Sequence, residues 1–178
     1  LADSHGVKIQ AYRADNGRFA DTAFKDDCLR QQQKLTFCGV GAHHQNGIAE
    51  RAIRDLTEIS RTMLLNGIRL WPEMISIILW PLALKHAADR HNLLFIDDAG
   101  YSPLARFSNT SSTIDATLFH TWGCPIFVLD ERLQSGTGKA PKWDPRARLG
   151  TYLGFSPFHS STVALVLNPH TGHVSPQY

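Results

Sequence analysis

Between Val7 and Arg13 the chain alternates apolar and polar residues, the period of a half-buried strand, and then runs into Ala14-Asp15-Asn16-Gly17, a strong turn signal. Residues 21–33 change to a helical period. Asp21 is placed to cap that helix, and Ala23, Phe24, Cys28 and Leu29 give it a narrow apolar side. Residues 35–38 form a short apolar strand closed by Gly39-Val40-Gly41, and strand, helix, strand is a βαβ unit if the strands are parallel. A glycine-containing loop, His43-His44-Gln45-Asn46-Gly47, then feeds a long amphipathic helix. At about 100° per residue, Ile48, Ala49, Ala52, Ile53, Leu56, Ile59, Met63 and Leu64 share one broad arc, which needs a core behind it. Glu50, Arg54, Thr57 and Arg61 share the other side, and the helix should end near Asn66-Gly67 with Gly67 as a left-handed C-cap.

Pro72 is placed to open a second helical run over residues 72–94, which Pro81 must break or kink into two pieces. This run reads as a connector without chemistry, with His86 and His91 as ordinary, partly buried side chains. Beyond Phe119 the pattern becomes short strands separated by turns: 125–130, 148–155, 162–168 and 173–177, the last two joined by a hairpin turn at Asn168-Pro169-His170-Thr171-Gly172. Residues 134–141, low in apolar content, should form a mobile loop.

Composition narrows the classes. With 178 residues, 43% hydrophobic and 19% charged, the chain is long enough for one medium domain or two small ones. Eighteen basic residues against sixteen acidic leave a net charge of +2, so no global basic field announces nucleic acid and local placement must carry any such reading. No apolar run is long enough to span a bilayer, and the richest, 74–84, contains Trp80-Pro81. Cys28, Cys38 and Cys124 are widely spaced and odd in number, which argues against a disulfide framework and for a reducing compartment. His43-His44 and His170-x-x-His173 lack a nearby Cys-x-x-Cys, so no structural zinc is expected. A start at Leu1 without a signal peptide marks the chain, as an expectation, as a fragment.

Two acids are the candidate chemistry. Asp15 ends a strand, where ligands gather in α/β layers, although Asp-Asn-Gly is also simply a turn. Glu50 sits in the first turn of its helix, where the positive N-terminus favours an anion. Read alone, Glu50 and Arg54 are an i,i+4 pair on a solvated face, contributing roughly 0.2–0.5 kcal/mol. Asp15 and Glu50 have 34 residues between them; brought together, two carboxylates repel unless cations lie between them.

Tyr12-Arg13-Ala14-Asp15-Asn16-Gly17-Arg18-Phe19 followed by His44-Gln45-Asn46-Gly47-Ile48-Ala49-Glu50-Arg51 resembles the integrase of copia-type LTR retrotransposons, in the retroviral integrase superfamily. The resemblance continues through Trp71, Ala83, Ala87 and Asn92, Tyr101-Ser102-Pro103, Phe119 to Cys124, Lys142-Trp143-Asp144-Pro145-Arg146-Ala147-Arg148 and Tyr152-Leu153-Gly154-Phe155. It implies an α/β fold over residues 1–67, the carboxy-terminal part of a truncated ribonuclease-H-like core. A helical connector over 68–117 and a small all-β SH3-like barrel over 118–178 would follow. In it Asp15 matches the second and Glu50 the third member of an Asp, Asp, Glu triad that holds two Mg²⁺ (or Mn²⁺) ions. Asn46 matches a polar residue that touches the DNA end, and Arg54, Arg61 and Lys142 would lie along the DNA backbone. The first triad Asp and an amino-terminal His-His-Cys-Cys zinc module fall upstream of Leu1; Asp3, twelve positions before Asp15, is a poor substitute. Ala42-His43-His44 replaces a proline-containing approach common in relatives.

The activity so implied is Mg²⁺-dependent 3′-end processing and strand transfer, with element DNA ends and target DNA as partners. A homo-oligomeric complete enzyme, no membrane, and passage from a cytoplasmic virus-like particle to the nucleus go with it. The fragment alone should be inactive. The alternatives are a catalytically inactive nucleic-acid-binding remnant and a structural protein-interaction module. Near the barrel, Arg132, Lys139, Lys142, Arg146 and Arg148 stand against Glu131 and Asp144, five minus two, an excess of three positive charges. With Trp143 among them this is either a nucleic-acid face, pairing stacking with phosphate contact, or a solvated rim with Trp143 tucked into the barrel.

Overall fold

The computed structural model describes residues 2–15, 17–39, 46–110 and 116–178; Asn16, His43, His44 and Gln45 lie outside the described residues. The chain is mixed α/β and divides into two compact units, Leu1–Asp55 with Leu104–Ser111 and Leu56–Pro103 with Ser112–Tyr178.

In the first unit, β1 (Ala11–Ala14) and β2 (Lys34–Phe37) are parallel, with Tyr12 opposite Leu35 and Ala14 opposite Phe37. The crossover is α1 (Thr22–Arg30), so the βαβ condition is met. β1 begins later than the alternation predicts, because its partner is only four residues long and the ladder ends with the Lys34 N–H donating to the Gln10 carbonyl at 2.8 Å. The apolar side of α1 is narrower than expected. Cys28 is buried and Phe24 half-buried one turn away, where its ring meets Tyr12 edge-on at 5.4 Å, but Leu29 is 78% exposed. Asp21 holds the N-cap position without a side-chain capping bond. The helix stops at Arg30, three residues short of the expectation. Gln32 adopts φ 55° there, the Gln32 N–H donates to Leu29 O at 3.1 Å and the Gln33 N–H to Cys28 O at 2.8 Å. That bonding pattern closes a helix on a left-handed residue, usually glycine.

The long helix α2 (Gly47–Leu70) runs past its expected end. Gly67 is buried inside it, and a Cβ there would stand 3.3 Å from Trp122 and 3.4 Å from Ile75. The glycine serves close approach, not a turn. Ser60, Leu64 and Gly67 form the buried stripe. The predicted apolar arc is covered only towards its carboxyl end: Leu56, Ile59 and Met63 are half-buried, whereas Ile48 is 92% and Ile53 66% exposed.

Pro81 does not break a helix; it starts one. A short 3-10 turn at Ile77–Leu79 leads into α3 (Trp80–Leu94) with the proline in its first turn. There its missing N–H would have had no intrahelical partner and its fixed φ already suits the helix. Pro72 lies in a turn before it. α4 (Pro103–Ser108) is a further short helix.

The strands of the second unit follow the expected order: β3 (Pro125–Leu129), β4 (Ala147–Phe155), β5 (Ala164–Leu167) and β6 (Val174–Gln177), an antiparallel meander in chain order, with a four-residue helix α5 (Glu131–Gln134) after β3. The Asn168–Gly172 hairpin is present, the Gly172 N–H donating to Asn168 O at 2.8 Å. The expected barrel does not close among the described residues. β3 and β6 are edges, and each carries a proline (Pro125, Pro176) that cannot donate to a further strand.

β4 is buried from Gly150 to Gly154. Leu153 and Leu167 join Leu64, Ile75, Ala83 and Trp122 in the main apolar cluster. α3 reaches the same strand: Lys85 pairs with Asp89 at 2.6 Å and donates to Phe155 O at 3.4 Å. His86, expected to be partly buried, is 1% exposed, with the Phe119 and Tyr152 rings each 5.8 Å away. Gly154, at φ +118°, gives it room, since a Cβ would lie 3.0 Å from His86 Nδ1. Burial first, then Arg90 and Lys85, push the His86 pKa down to about 4, so the ring is neutral.

Candidate functional site

Asp15 follows β1 and is exposed. Its Oδ1 accepts the Gly17 N–H at 3.3 Å, so the turn and the strand-end acid are one feature. A Cβ on Gly17 would stand 3.3 Å from that oxygen, and glycine keeps the carboxylate uncrowded. Glu50 is exposed in the first turn of α2, as expected, and Asn46, half-buried, lies one turn before it. Asp15, Asn46 and Glu50 all belong to the first unit.

Along α2, Arg54 turns to Asp55 (Nε to Oδ1 3.7 Å) and not to Glu50, so the i,i+4 pair does not form. Arg61 meets Glu58 at 3.9 Å. Both pairs are exposed and long, of the kind contributing about 0–1 kcal/mol, so a phosphate competes easily for either guanidinium. Seven residues separate the two arginines, about 10 Å of helical rise.

Exposed carboxylates supply the hard oxygen ligands that Mg²⁺ takes, and Asp15 and Glu50 fit that chemistry. Among the described residues no three His, Cys, Asp or Glu side chains gather where they could hold a metal ion.

In the basic segment of the second unit the structure corrects the expected place of the indole. Trp143 is 88% exposed, not tucked into the sheet, and Lys142 Nζ lies 5.1 Å from its ring centroid. The segment before it carries hydrogen bonds of its own. The Gly138 N–H donates to Arg132 O at 3.0 Å, and the Ser135 and Thr137 hydroxyls bond at 2.7 Å. Of the basic side chains, Arg132 is committed to Asp130, Nε to Oδ1 3.2 Å and Nη2 to Oδ2 3.5 Å. That bond holds the Asp130 carboxyl below its ordinary range. In the sequence, Pro141 and Pro145 bracketing Lys-Trp-Asp are the signal that could have placed Trp143 on an exposed turn.

No family model matches the chain, and no curated protein matches it. Among solved structures the chain is similar to one in the cryo-EM structure of the simian T-cell lymphotropic virus intasome in complex with PP2A regulatory subunit B56 gamma, at 16% identity and a TM-score of 0.45. The match covers 92% of this chain and 53% of that one, so the chain spans about half the length of its match. No helix among the described residues is long and apolar enough to cross a membrane.

Proposed function

We propose that this chain is part of a copia-type retrotransposon integrase, a polynucleotidyl transferase that trims and joins DNA ends. The observation that carries the reading is the pair of exposed acids, Asp15 after a parallel strand and Glu50 in the first turn of a helix, inside the quoted motifs. On this reading residues 1–67 belong to a ribonuclease-H-like core, 68–117 connect, and 118–178 correspond to the SH3-like module.

Phosphodiester transfer asks the protein chiefly for positioning and charge compensation. Asp15, with an acid from an upstream segment, and Glu50 would hold two Mg²⁺ or Mn²⁺ ions, which when bound activate the attacking hydroxyl and offset charge on the leaving oxygen. Asn46 positions the DNA end beside Glu50. Arg54 and Arg61 contact successive phosphates, giving affinity that falls with salt and carries no sequence choice. Element DNA ends, target DNA and further copies of the enzyme are the partners of this reading.

The test is a chain completed with its upstream segment and assayed for Mg²⁺-dependent strand transfer. Glu50→Gln and Asp15→Asn should each abolish joining while DNA binding persists. Joining within a few-fold of wild type in either variant overturns the assignment. DNA binding without metal-dependent joining in the completed wild-type chain points instead to an inactive binding remnant.

A further inference from the structure

Lys142 and Trp143 are the two corner residues of a turn closed by the Asp144 N–H donating to Pro141 O at 3.2 Å. The turn is pinned on both sides. Pro141 and Pro145 restrict φ at its ends, the Gly138 N–H bonds to Arg132 O upstream at 3.0 Å, and the Asp130 N–H bonds to Arg146 O downstream at 2.9 Å. Pro141, Asp144 and Pro145 line a small cavity of about 170 Å³ with Leu133 and Lys139, whereas Lys142 and Trp143 do not line it. An indole held out of the sheet by its own turn loses little freedom when a ligand stacks on it, which lowers the entropic cost of binding. Lys142 stands over the ring at 5.1 Å, and at 88% exposure the indole retains open area for a second planar group. Lys139, Lys142 and Arg146 are exposed and make no ion pair among the described residues, with Asp144 the only acid between Lys139 and Arg146.

We infer that this turn is a stacking platform for an unpaired nucleic-acid base, with Lys142, Lys139 and Arg146 meeting the flanking phosphates. The occupant is single-stranded nucleic acid, because a base freed from its pair offers an aromatic face with no unstacking of a duplex to oppose it, and the cations match its backbone charge. The inference goes beyond the phosphate contacts proposed above. It is independent of the two acids, so a completed chain that fails to join DNA leaves it standing.

The experiment is fluorescence anisotropy of the full chain with a labelled oligothymidylate and with a blunt duplex of equal length, across a salt series. Wild type should prefer the single strand. Trp143→Ala should weaken single-strand binding by about 5- to 100-fold and duplex binding by less than about two-fold, and Trp143→Phe should restore most of the loss. Lys142→Ala should lower the slope of log affinity against log salt by about 0.7 on the single strand. Because the indole is almost wholly outside the fold, an unchanged circular dichroism spectrum accompanies these losses. Unchanged single-strand affinity in Trp143→Ala, equal losses on both probes, or no rescue by phenylalanine overturns the platform.

Discussion

The two units bury different kinds of side chain. In the first, the buried apolar residues among the described residues are Ala14, Cys28, Cys38 and Ala105, all small. In the second they include Leu64, Ile75, Trp122, Tyr152, Leu153, Val166 and Leu167. At roughly 25 cal/mol per Å² of apolar surface removed from water, burial of large side chains dominates, so the second unit holds the greater share of the stability. Asp15 and Glu50 stand in the unit with less of it. What the contrast teaches is that the residues reading most clearly as chemistry stand on the more thinly packed scaffold, while the module after them is built as a solid core. All four tryptophans, Trp71, Trp80, Trp122 and Trp143, fall in the second unit, so indole fluorescence reports on it alone.

The largest expected effect falls on that core. Leu153→Ala, at a position 1% exposed, should lower the stability of the second unit by about 2–5 kcal/mol, measured as a shift in the urea midpoint of tryptophan fluorescence. A shift below about 1 kcal/mol would break the contrast at its stronger end. His86 comes next. The fold holds its ring neutral with a pKa near 4 against an ordinary 6.5, so protons favour the unfolded chain. Stability is complete above pH 6.5 and falls as the pH drops towards 4, by about 2 kcal/mol between pH 7.5 and 5. His86→Gln should flatten most of that slope; an unaltered pH dependence would show that the histidine is not its source.

Smaller effects sharpen the other end. Gln32→Gly should relieve the left-handed backbone after α1 and stabilise the first unit by roughly 0.5–1 kcal/mol, read as slower hydrogen exchange at the Lys34 and Cys38 amides. Faster exchange would mean that the glutamine side chain contributes more than its backbone costs. Smallest of all, Ile53→Lys on the exposed part of α2 should change stability by less than about 0.5 kcal/mol, in line with its 66% exposure. A loss of 2 kcal/mol or more would show that the amino-terminal half of the apolar arc is covered in solution.

Local order was legible wherever a residue's preference is set by its neighbours in the chain. The strand–helix–strand order, the Asn168–Gly172 hairpin, Glu50 in a first helical turn and the four strands in order all follow from period and turn chemistry, whereas the parallel pairing of the first two strands came from the structure. The candidate site was legible in the same way, as Asp15 at a strand end and Glu50 at a helix start. Gly67 and Pro81 were not, because glycine permits both a turn and a close approach, and proline both breaks and opens helices. Only the arrival of Trp122 and Ile75 against Gly67 separates the two for the glycine.

By itself, then, the sequence determined the order and type of the elements, the turn that carries Asp15 and the helix turn that carries Glu50. The tertiary structure decided which apolar faces find cover. Among the described residues it left Ile48 and Ile53 largely exposed, sealed His86 beside Gly154, kept the four-stranded sheet open between two proline-bearing edges and turned Trp143 outward. The reason is that periodicity states which face of an element is apolar, whereas burial requires a second surface brought from elsewhere in the chain.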